Sequence, residues 1–195
     1  MGVSGVRHLP CGDFVNASEQ LAVERIRSKL EGAGGYWILL SNLNHSQHPG
    51  LRSDEIDLVV IGPNGVHVVE VKHWDATYLR QQQFVVEQEA ERINTKAKRV
   101  AGKLRKKLDP GFVAPLFLLT RGEIRFEKEK RPQIRGVSVF GLPECLQLIA
   151  FGGEVQLAPD QVDLAAKLLE PTAKVALSGD IRSFAGLINL ERLSS

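Results

Sequence analysis

Three residues whose side chains suit phosphodiester chemistry, Asp57, Glu70 and Lys72, lie close together in the sequence. Two carboxylates that converge on one face repel each other, and burial increases the repulsion. A divalent cation such as Mg²⁺ prefers oxygen ligands and relieves this conflict. A neighbouring lysine can orient or help to deprotonate the attacking water, and it can stabilise charge on the phosphate. The residue types therefore indicate metal-assisted hydrolysis, provided that the fold brings them together.

A β-hairpin is predicted to do so. Two runs of β-branched residues, 56–61 and 66–71, flank the sequence Gly-Pro-Asn-Gly at 62–65. Asn-Gly between such runs is a strong hairpin signal, because both residues tolerate positive φ. Alternate residues of a strand share a face, so Glu70 and Lys72 are expected to point the same way.

Asp57 is predicted to join them, because it lies at the open end of the same hairpin. The cross-strand register stays open at this stage. The alternative is that Glu70 and Lys72 form a salt bridge on an exposed face. The strand around them is apolar almost throughout, which is typical of a strand covered on both faces, and a charge in such a strand needs a partner or a function.

The elements around the hairpin follow from hydrophobic periodicity and from helix and turn signals. We expect an irregular arm over residues 1–16, a helix capped by Ser18 and running to about residue 30, a strand at 36–40, a polar loop at 41–53, a short strand at Val85 and Val86, a helix over 88–108, strands at 113–120 and 137–140, and helices at 143–149 and 161–169. This order predicts an α/β domain with a mixed sheet.

Composition favours an ordinary globular protein of 195 residues with a net charge of +2, 43% hydrophobic residues and two cysteines. The first thirty residues contain acidic side chains and no continuous apolar stretch, so we expect no secretory signal. The apolar runs are too short to span a membrane. Cys11 and Cys145 are interpreted as reduced thiols, with one distant disulfide as the alternative. These features favour a cytoplasmic protein.

The stretch over residues 55–74 resembles the NERD, or nuclease-related, domain, a branch of the PD-(D/E)xK nuclease superfamily. The matching features are Glu-Ile-Asp at 55–57, a hydrophobic strand, the turn at 62–65, Glu-Val-Lys at 70–72 and Trp74. The resemblance implies a restriction-endonuclease-like mixed sheet flanked by helices. It also implies Asp57 and Glu70 as ligands of Mg²⁺ or Mn²⁺, Lys72 as the catalytic lysine, and DNA as the substrate, with RNA left open.

The family also begins with a helix whose acidic residue reaches the site, and the sequence offers Glu19 and Glu24. At about 100° per residue, Glu19 shares the helical face of Val23 and Ile26, whereas Glu24 lies well away from it. We therefore expect Glu19 to be the fourth member of the site. Its alternative is a first-turn carboxylate that the helix dipole favours.

Seven basic residues and no acidic residue occur over 96–107. A charge run of this kind is interpreted as a solvated helix face, or, beside a nuclease site, as a surface that neutralises phosphates without reading sequence. The residues predicted to bind nucleic acid are Lys96, Arg99, Lys103, Lys106 and Lys107.

The nuclease-like domain is expected to cover residues 17–175, and 176–195 to be a linker or the start of a further module. The resemblance implies a kinase-like or helicase partner in a larger bacterial protein, with phage defence as one role. The alternative function is a non-catalytic nucleic-acid-binding or sensor domain that regulates such a module. His73, which follows the Glu-Val-Lys strand directly, is the histidine of interest as a base or ligand.

Overall fold

A computed structural model describes residues 4–44, 55–108, 113–121, 133–153 and 157–170 of the chain. The strands in these ranges are β1 (Gly5–Pro10), β2 (Tyr36–Asn44), β3 (Glu55–Gly62), β4 (Gly65–Lys72), β5 (Val113–Leu119), β6 (Gln133–Ile134) and β7 (Val137–Gly141). The helices are α1 (Ala17–Ala33), α2 (Ala76–Gln81), α3 (Gln83–Leu104), α4 (Leu142–Phe151) and α5 (Pro159–Leu169).

The described strands form one mixed sheet in the order β1-β2-β3-β4-β5-β7-β6. β2, β3 and β4 are antiparallel neighbours, whereas β4, β5 and β7 run parallel to one another. The predicted α/β class with a mixed sheet flanked by helices is confirmed. The hairpin of β3 and β4 lies near the middle of the sheet, where strands are covered on both faces.

Helices cover both faces of the sheet. α3 and α5 pack on the face that carries Val59 and Val68, and α1 and α4 pack on the face that carries Val60 and Val69. The two faces receive alternate residues of each strand, as the pleat requires. Apolar burial against two helical layers therefore fixes which side chains of the hairpin point toward α3.

The turn of the hairpin differs from the Asn-Gly turn that the sequence predicts. Gly62 pairs with Gly65, so Pro63 and Asn64 are the central residues. Asn64 is not among the described residues with positive φ, whereas Gly65 has a φ of 104°. The predicted hairpin is confirmed, but its turn type is wrong, because Pro63 suits the first central position and glycine takes up the positive φ that follows.

Contacts with both sides of the domain hold this turn. The Asn64 side-chain amide donates to the carbonyl oxygen of Ile149 in α4 at 3.0 Å. The amide of Leu157, just before α5, donates to the carbonyl oxygen of Pro63 at 3.2 Å. The closed end of the hairpin is thereby anchored, and its open end lies against α3.

The N-terminal segment is not the irregular arm that we expected. Residues Gly5–Pro10 form β1, which pairs in parallel with β2 at the edge of the sheet. The Arg7 guanidinium donates to the Tyr36 hydroxyl at 3.0 Å and to Asp163 of α5 at 2.9 Å. Because β1 is only partly buried, its sequence shows little hydrophobic periodicity. The strand forms through backbone pairing with β2, which is distant in the sequence.

Two local expectations are also corrected. The N-cap of α1 is Asn16, whose side chain accepts from the Glu19 amide, and not Ser18. Val85 and Val86 belong to α3 and not to a strand, because Val86 starts the buried helical stripe that continues through Ala90 and Ile93. The remainder of the predicted loop (45–53), most of the connection after β5 (122–132) and residues 176–195 lie outside the described residues.

Within the described ranges, no helix combines the length and apolar character needed to cross a bilayer. Both cysteines are free thiols: Cys145 is buried in the α1/α4 layer, and Cys11 is half-buried. The two cysteines pack in different layers of the domain, so the structure excludes a disulfide between them.

His67 is a buried histidine in the middle of β4, on the sheet face opposite Glu70. Only 5% of its surface is exposed, and neither ring nitrogen has a hydrogen-bond partner among the described residues. Burial lowers the pKa of His67 from 6.5 to about 4. The neutral ring is therefore the form that the folded protein accommodates.

We predict that this histidine contributes to acid destabilisation. Between about pH 6.5 and pH 4 the unfolded chain takes up a proton that folded His67 refuses, so stability falls by up to about 1.4 kcal/mol per pH unit on acidification. Urea unfolding across this range should show a shallower acid-side slope for His67→Leu than for the parent. His73→Leu, which replaces an exposed histidine, is the matched control. Equal slopes for the parent and His67→Leu would contradict the prediction.

Candidate active site

The register of the hairpin brings Asp57 and Glu70 to its open end. The described pairing of β3 with β4 ends at Leu58 and Val69, and Asp57 and Glu70 are the next residues along the two strands. Asp57 alternates with Val59, and Glu70 alternates with Val68, on the face that packs against α3 and α5. The two carboxylates therefore lie on one face of the sheet, with Lys72 one alternation further along β4.

Asp57 is held by the backbone of the neighbouring strand. Its Oδ2 accepts a hydrogen bond from the Val71 amide at 2.7 Å. Burial, followed by the charge of Glu70, raises the pKa of Asp57 from 3.8 to about 8, although the Val71 hydrogen bond and Lys96 oppose this shift. The charge of Glu70 is thus close enough to disfavour the ionised form of Asp57.

Glu70 is buried, with 7% of its surface exposed, and each of its oxygens has its own ammonium partner. Lys72 donates to Oε1 at 3.0 Å, and Lys96 of α3 donates to Oε2 at 2.8 Å. This arrangement excludes the alternative of an exposed salt bridge between Glu70 and Lys72. Two positive partners compensate a buried carboxylate that the sheet could not otherwise accommodate.

Lys72 has a second carboxylate partner on α3. Its Nζ donates to Oε2 of Glu89 at 2.8 Å and lies 5.5 Å from the centre of the Trp74 ring. Burial alone would lower the pKa of Lys72, but the carboxylates of Glu70 and Glu89 outweigh it and raise the pKa. Lys72 is therefore held as a cation between two acids.

Glu89, Lys72, Glu70 and Lys96 form a continuous series of alternating charges, which we call the ion-pair chain. It joins the open end of the hairpin to α3. Glu89 and Lys96 are seven residues apart, so two helical turns place them on the same side of α3. They complete a site whose other half comes from β3 and β4.

Sequence reasoning missed Glu89 and did not assign Lys96 to the site. The signal for Lys96 lies in the helical phase: it falls three residues after Ile93 and four before Val100, both of which are buried. A lysine at such a position enters the core side of the helix and needs a buried acid. Its partner, Glu70, could not be identified without the packing of α3 on the sheet.

Glu19 lies on the buried face of α1 that helical phase predicts, with 8% of its surface exposed, and Glu24 is exposed. Its Oε2 accepts from the Val15 amide at 3.1 Å, and its Oε1 accepts from the Asn16 side chain. The Glu19 charge also raises the pKa of Asp57, as the weakest of the influences on that group. Glu19 therefore caps the start of α1, and its negative charge acts weakly on Asp57.

The basic residues of α3 divide into two groups. Lys96 is turned inward to Glu70, with 8% of its surface exposed, so we remove it from the predicted nucleic-acid-binding set. The others are exposed: Arg99, Lys103, Lys106 and Lys107. α3 ends at Leu104, earlier than predicted, so Lys106 and Lys107 follow the helix. Lys103 is about 10 Å beyond Lys96 along the helix axis, so this surface continues away from the site.

Two further residues flank the site. His73 is exposed, and its Nδ1 lies 3.2 Å from Oγ1 of Thr120 at the end of β5. Trp74 stacks on Tyr78 with ring centres 4.9 Å apart and also contacts Phe117. Trp74 thus packs at the rim of the site.

The donor set fits a hard divalent cation in one respect. Carboxylates such as those of Asp57 and Glu70 are the oxygen ligands that Mg²⁺ or Mn²⁺ prefers, and Mg²⁺ often uses only one or two of them, with water and phosphate. No group of three or more His, Cys, Asp and Glu side chains in the described part of the chain is arranged to hold a metal. A cation here would take Asp57 and Glu70 as its carboxylate ligands, and other oxygens would complete its shell.

A sequence model described as the nuclease-related domain matches residues 15–120. This range contains α1, the hairpin, α3 and β5, and therefore every side chain of the ion-pair chain. No curated protein and no solved structure matches the chain.

The raised pKa of Asp57 predicts a stability cost in the absence of metal. The pKa of Asp57 in the folded protein lies above its value in the unfolded chain. Its contribution to the free energy of unfolding is therefore fully present below about pH 4. That contribution is lost as the pH rises to about 8, at up to about 1.4 kcal/mol per pH unit. Asp57→Asn retains an acceptor for the Val71 amide and removes the titration. In EDTA, urea unfolding should show it to be more stable than the parent at pH 7, with the difference shrinking toward pH 4. A pH-independent difference would contradict the assignment.

Proposed function

Because the chain belongs to the nuclease-related domain family, we propose that it is a Mg²⁺- or Mn²⁺-dependent nuclease domain that hydrolyses phosphodiester bonds in DNA. The observation that supports this most directly is the convergence of Asp57, Glu70 and Lys72 at the open end of the β3–β4 hairpin. Two acids and a lysine on adjacent central strands match the chemistry of metal-assisted hydrolysis.

In this proposal Asp57 and Glu70 hold the cation, which supplies positive charge to the phosphate and acidifies water when it is bound. Lys72 lies beside Glu70 and is the group placed to orient the attacking water and to stabilise charge on the phosphate. Glu89 and the Trp74 ring hold the Lys72 ammonium in position. Glu19 adds negative charge near Asp57 and so favours cation binding.

One observation favours a second candidate, a non-catalytic nucleic-acid-binding or sensor domain. The ion-pair chain satisfies both oxygens of Glu70 and also Lys72, so the charges compensate one another without a cation. A domain that had lost cleavage could retain this arrangement for stability. A measurement of metal-dependent DNA cleavage therefore distinguishes the two candidate functions.

The test of cleavage uses the full chain with plasmid and single-stranded DNA, with Mg²⁺, Mn²⁺ or EDTA. We expect metal-dependent nicking or shortening that falls at least about a hundredfold in Asp57→Ala and Lys72→Ala, because each removes a group that acts in the transition state. Lys98→Ala, an exposed lysine of α3, is the control and should keep parental activity. DNA binding without cleavage in either metal would favour the second candidate.

Glu19 is tested by a matched pair on one helix. Glu19→Gln keeps the helix and much of the capping geometry but removes the charge near Asp57, so cleavage is expected to need about tenfold more Mg²⁺ for half-maximal rate. Glu24→Gln changes an exposed carboxylate of α1 and should leave the Mg²⁺ requirement as it is. The same requirement in both variants would limit Glu19 to its capping role.

We propose that the exposed basic surface of Arg99, Lys103, Lys106 and Lys107 neutralises DNA phosphates. Replacing Lys106 and Lys107 together by alanine should weaken DNA binding and lower the slope of log affinity against log salt by about 1 for each lost contact. The control replaces Arg25 and Lys29, exposed residues of α1 on the opposite face of the sheet. Fluorescence anisotropy at several salt concentrations provides the measurement, and equal slopes for both double variants would contradict the proposal.

The resemblance also supports the proposal that the domain acts in the cytoplasm within a larger bacterial protein, joined to a kinase-like or helicase module and serving in phage defence. Residues 176–195, the expected linker or start of a further module, lie outside the described residues.

A further inference from the structure

Lys96 is a lysine inside the acidic site whose position the proposed mechanism does not use. Its Nζ lies 2.8 Å from Oε2 of Glu70, and its side chain is 10% exposed. It comes from α3, which packs over the hairpin, whereas Lys72 comes from the same strand as Glu70. The two ammonium groups approach Glu70 from different elements and occupy different oxygens.

The two lysines are not equivalent. Lys72 is more exposed, at 19%, and has Glu89 as a second partner, so it can leave Glu70 and remain neutralised. Lys96 is more deeply buried, and it forms its salt bridge with Glu70. When a cation binds at Glu70, Lys72 can therefore release Oε1 of Glu70 and keep its salt bridge with Glu89. Lys96 would stay hydrogen-bonded to Oε2 of Glu70.

The charge of the site leaves little room for two metal ions. Two-metal phosphodiester sites hold ions about 4 Å apart, and their ligands must compensate four positive charges. In the described part of the chain no three metal-binding side chains form such a group, and one oxygen of the shared carboxylate is already bound by Lys96.

We propose that the Lys96 ammonium takes the place of a second divalent cation, so that this site binds a single ion. The inference rests on the proposed function, because it assumes that Asp57 and Glu70 bind a metal. It assigns to Lys96 the role of a fixed internal counter-ion, which sets the number of ions bound and their affinity. Lys96 is thus a positioning residue for Glu70, distinct from Lys72.

The test is a titration of the full chain with Mn²⁺, followed by calorimetry and by electron paramagnetic resonance. The parent should bind one Mn²⁺ with the spectrum of an isolated ion, and Asp57→Ala should lose it. Lys96→Met removes a positive charge beside the ion, so its Kd for Mn²⁺ should fall at least about tenfold. Lys98→Met, two residues along α3 and exposed, should match the parent.

Each failure has its own signature. Two coupled Mn²⁺ ions in the parent would overturn the role of Lys96 and leave the proposed nuclease function intact. A Lys96→Met protein that folds and binds Mn²⁺ like Lys98→Met would overturn it as well. If Lys96→Met does not fold, Lys96→Gln, which keeps a hydrogen-bond donor for Glu70 without the charge, takes its place in the same titration. No Mn²⁺ bound by the parent would reject the metal-dependent function, and this inference with it.

Discussion

The repulsion between Asp57 and Glu70 is the constraint around which the site is organised. The hairpin places both carboxylates at one end of two buried strands. Burial, followed by the charge of Glu70, raises the pKa of Asp57 to about 8. Glu70 remains compensated because Lys72 and Lys96 each bind one of its oxygens. The two lysines supply the positive charge that a buried carboxylate needs, and Glu89 in turn compensates Lys72.

α3 contributes both to the hydrophobic core and to the candidate active site. Its apolar stripe packs on the sheet and thereby fixes the height and rotation of the helix over the hairpin. Glu89 and Lys96 lie at the border of this stripe, so core packing also sets the geometry of the ion-pair chain. A shift of the helix by one residue would turn both side chains away from Glu70 and Lys72.

The same helix separates two uses of positive charge. Lys96 points inward and serves the carboxylates, whereas Arg99 and Lys103 point outward and lie further along the axis. A continuous basic run in the sequence thus becomes one internal counter-ion and one external surface. The distinction matters because a buried ammonium stabilises a fixed charge, while an exposed one contributes to long-range attraction that salt screens.

The sequence alone determined the structural features that depend on residues close together in the chain. The β3–β4 hairpin, the shared face of Glu70 and Lys72, and the burial of Glu19 over Glu24 follow from strand alternation and helical phase. Only the tertiary structure decided features that depend on distant partners: the parallel pairing of β1 with β2, and the contact of Lys96 with Glu70 across 26 residues. Even the turn residues changed, because strand register placed Pro63 and Asn64 at its centre. Local periodicity states which face a side chain occupies, whereas its partner is determined by how the elements pack together.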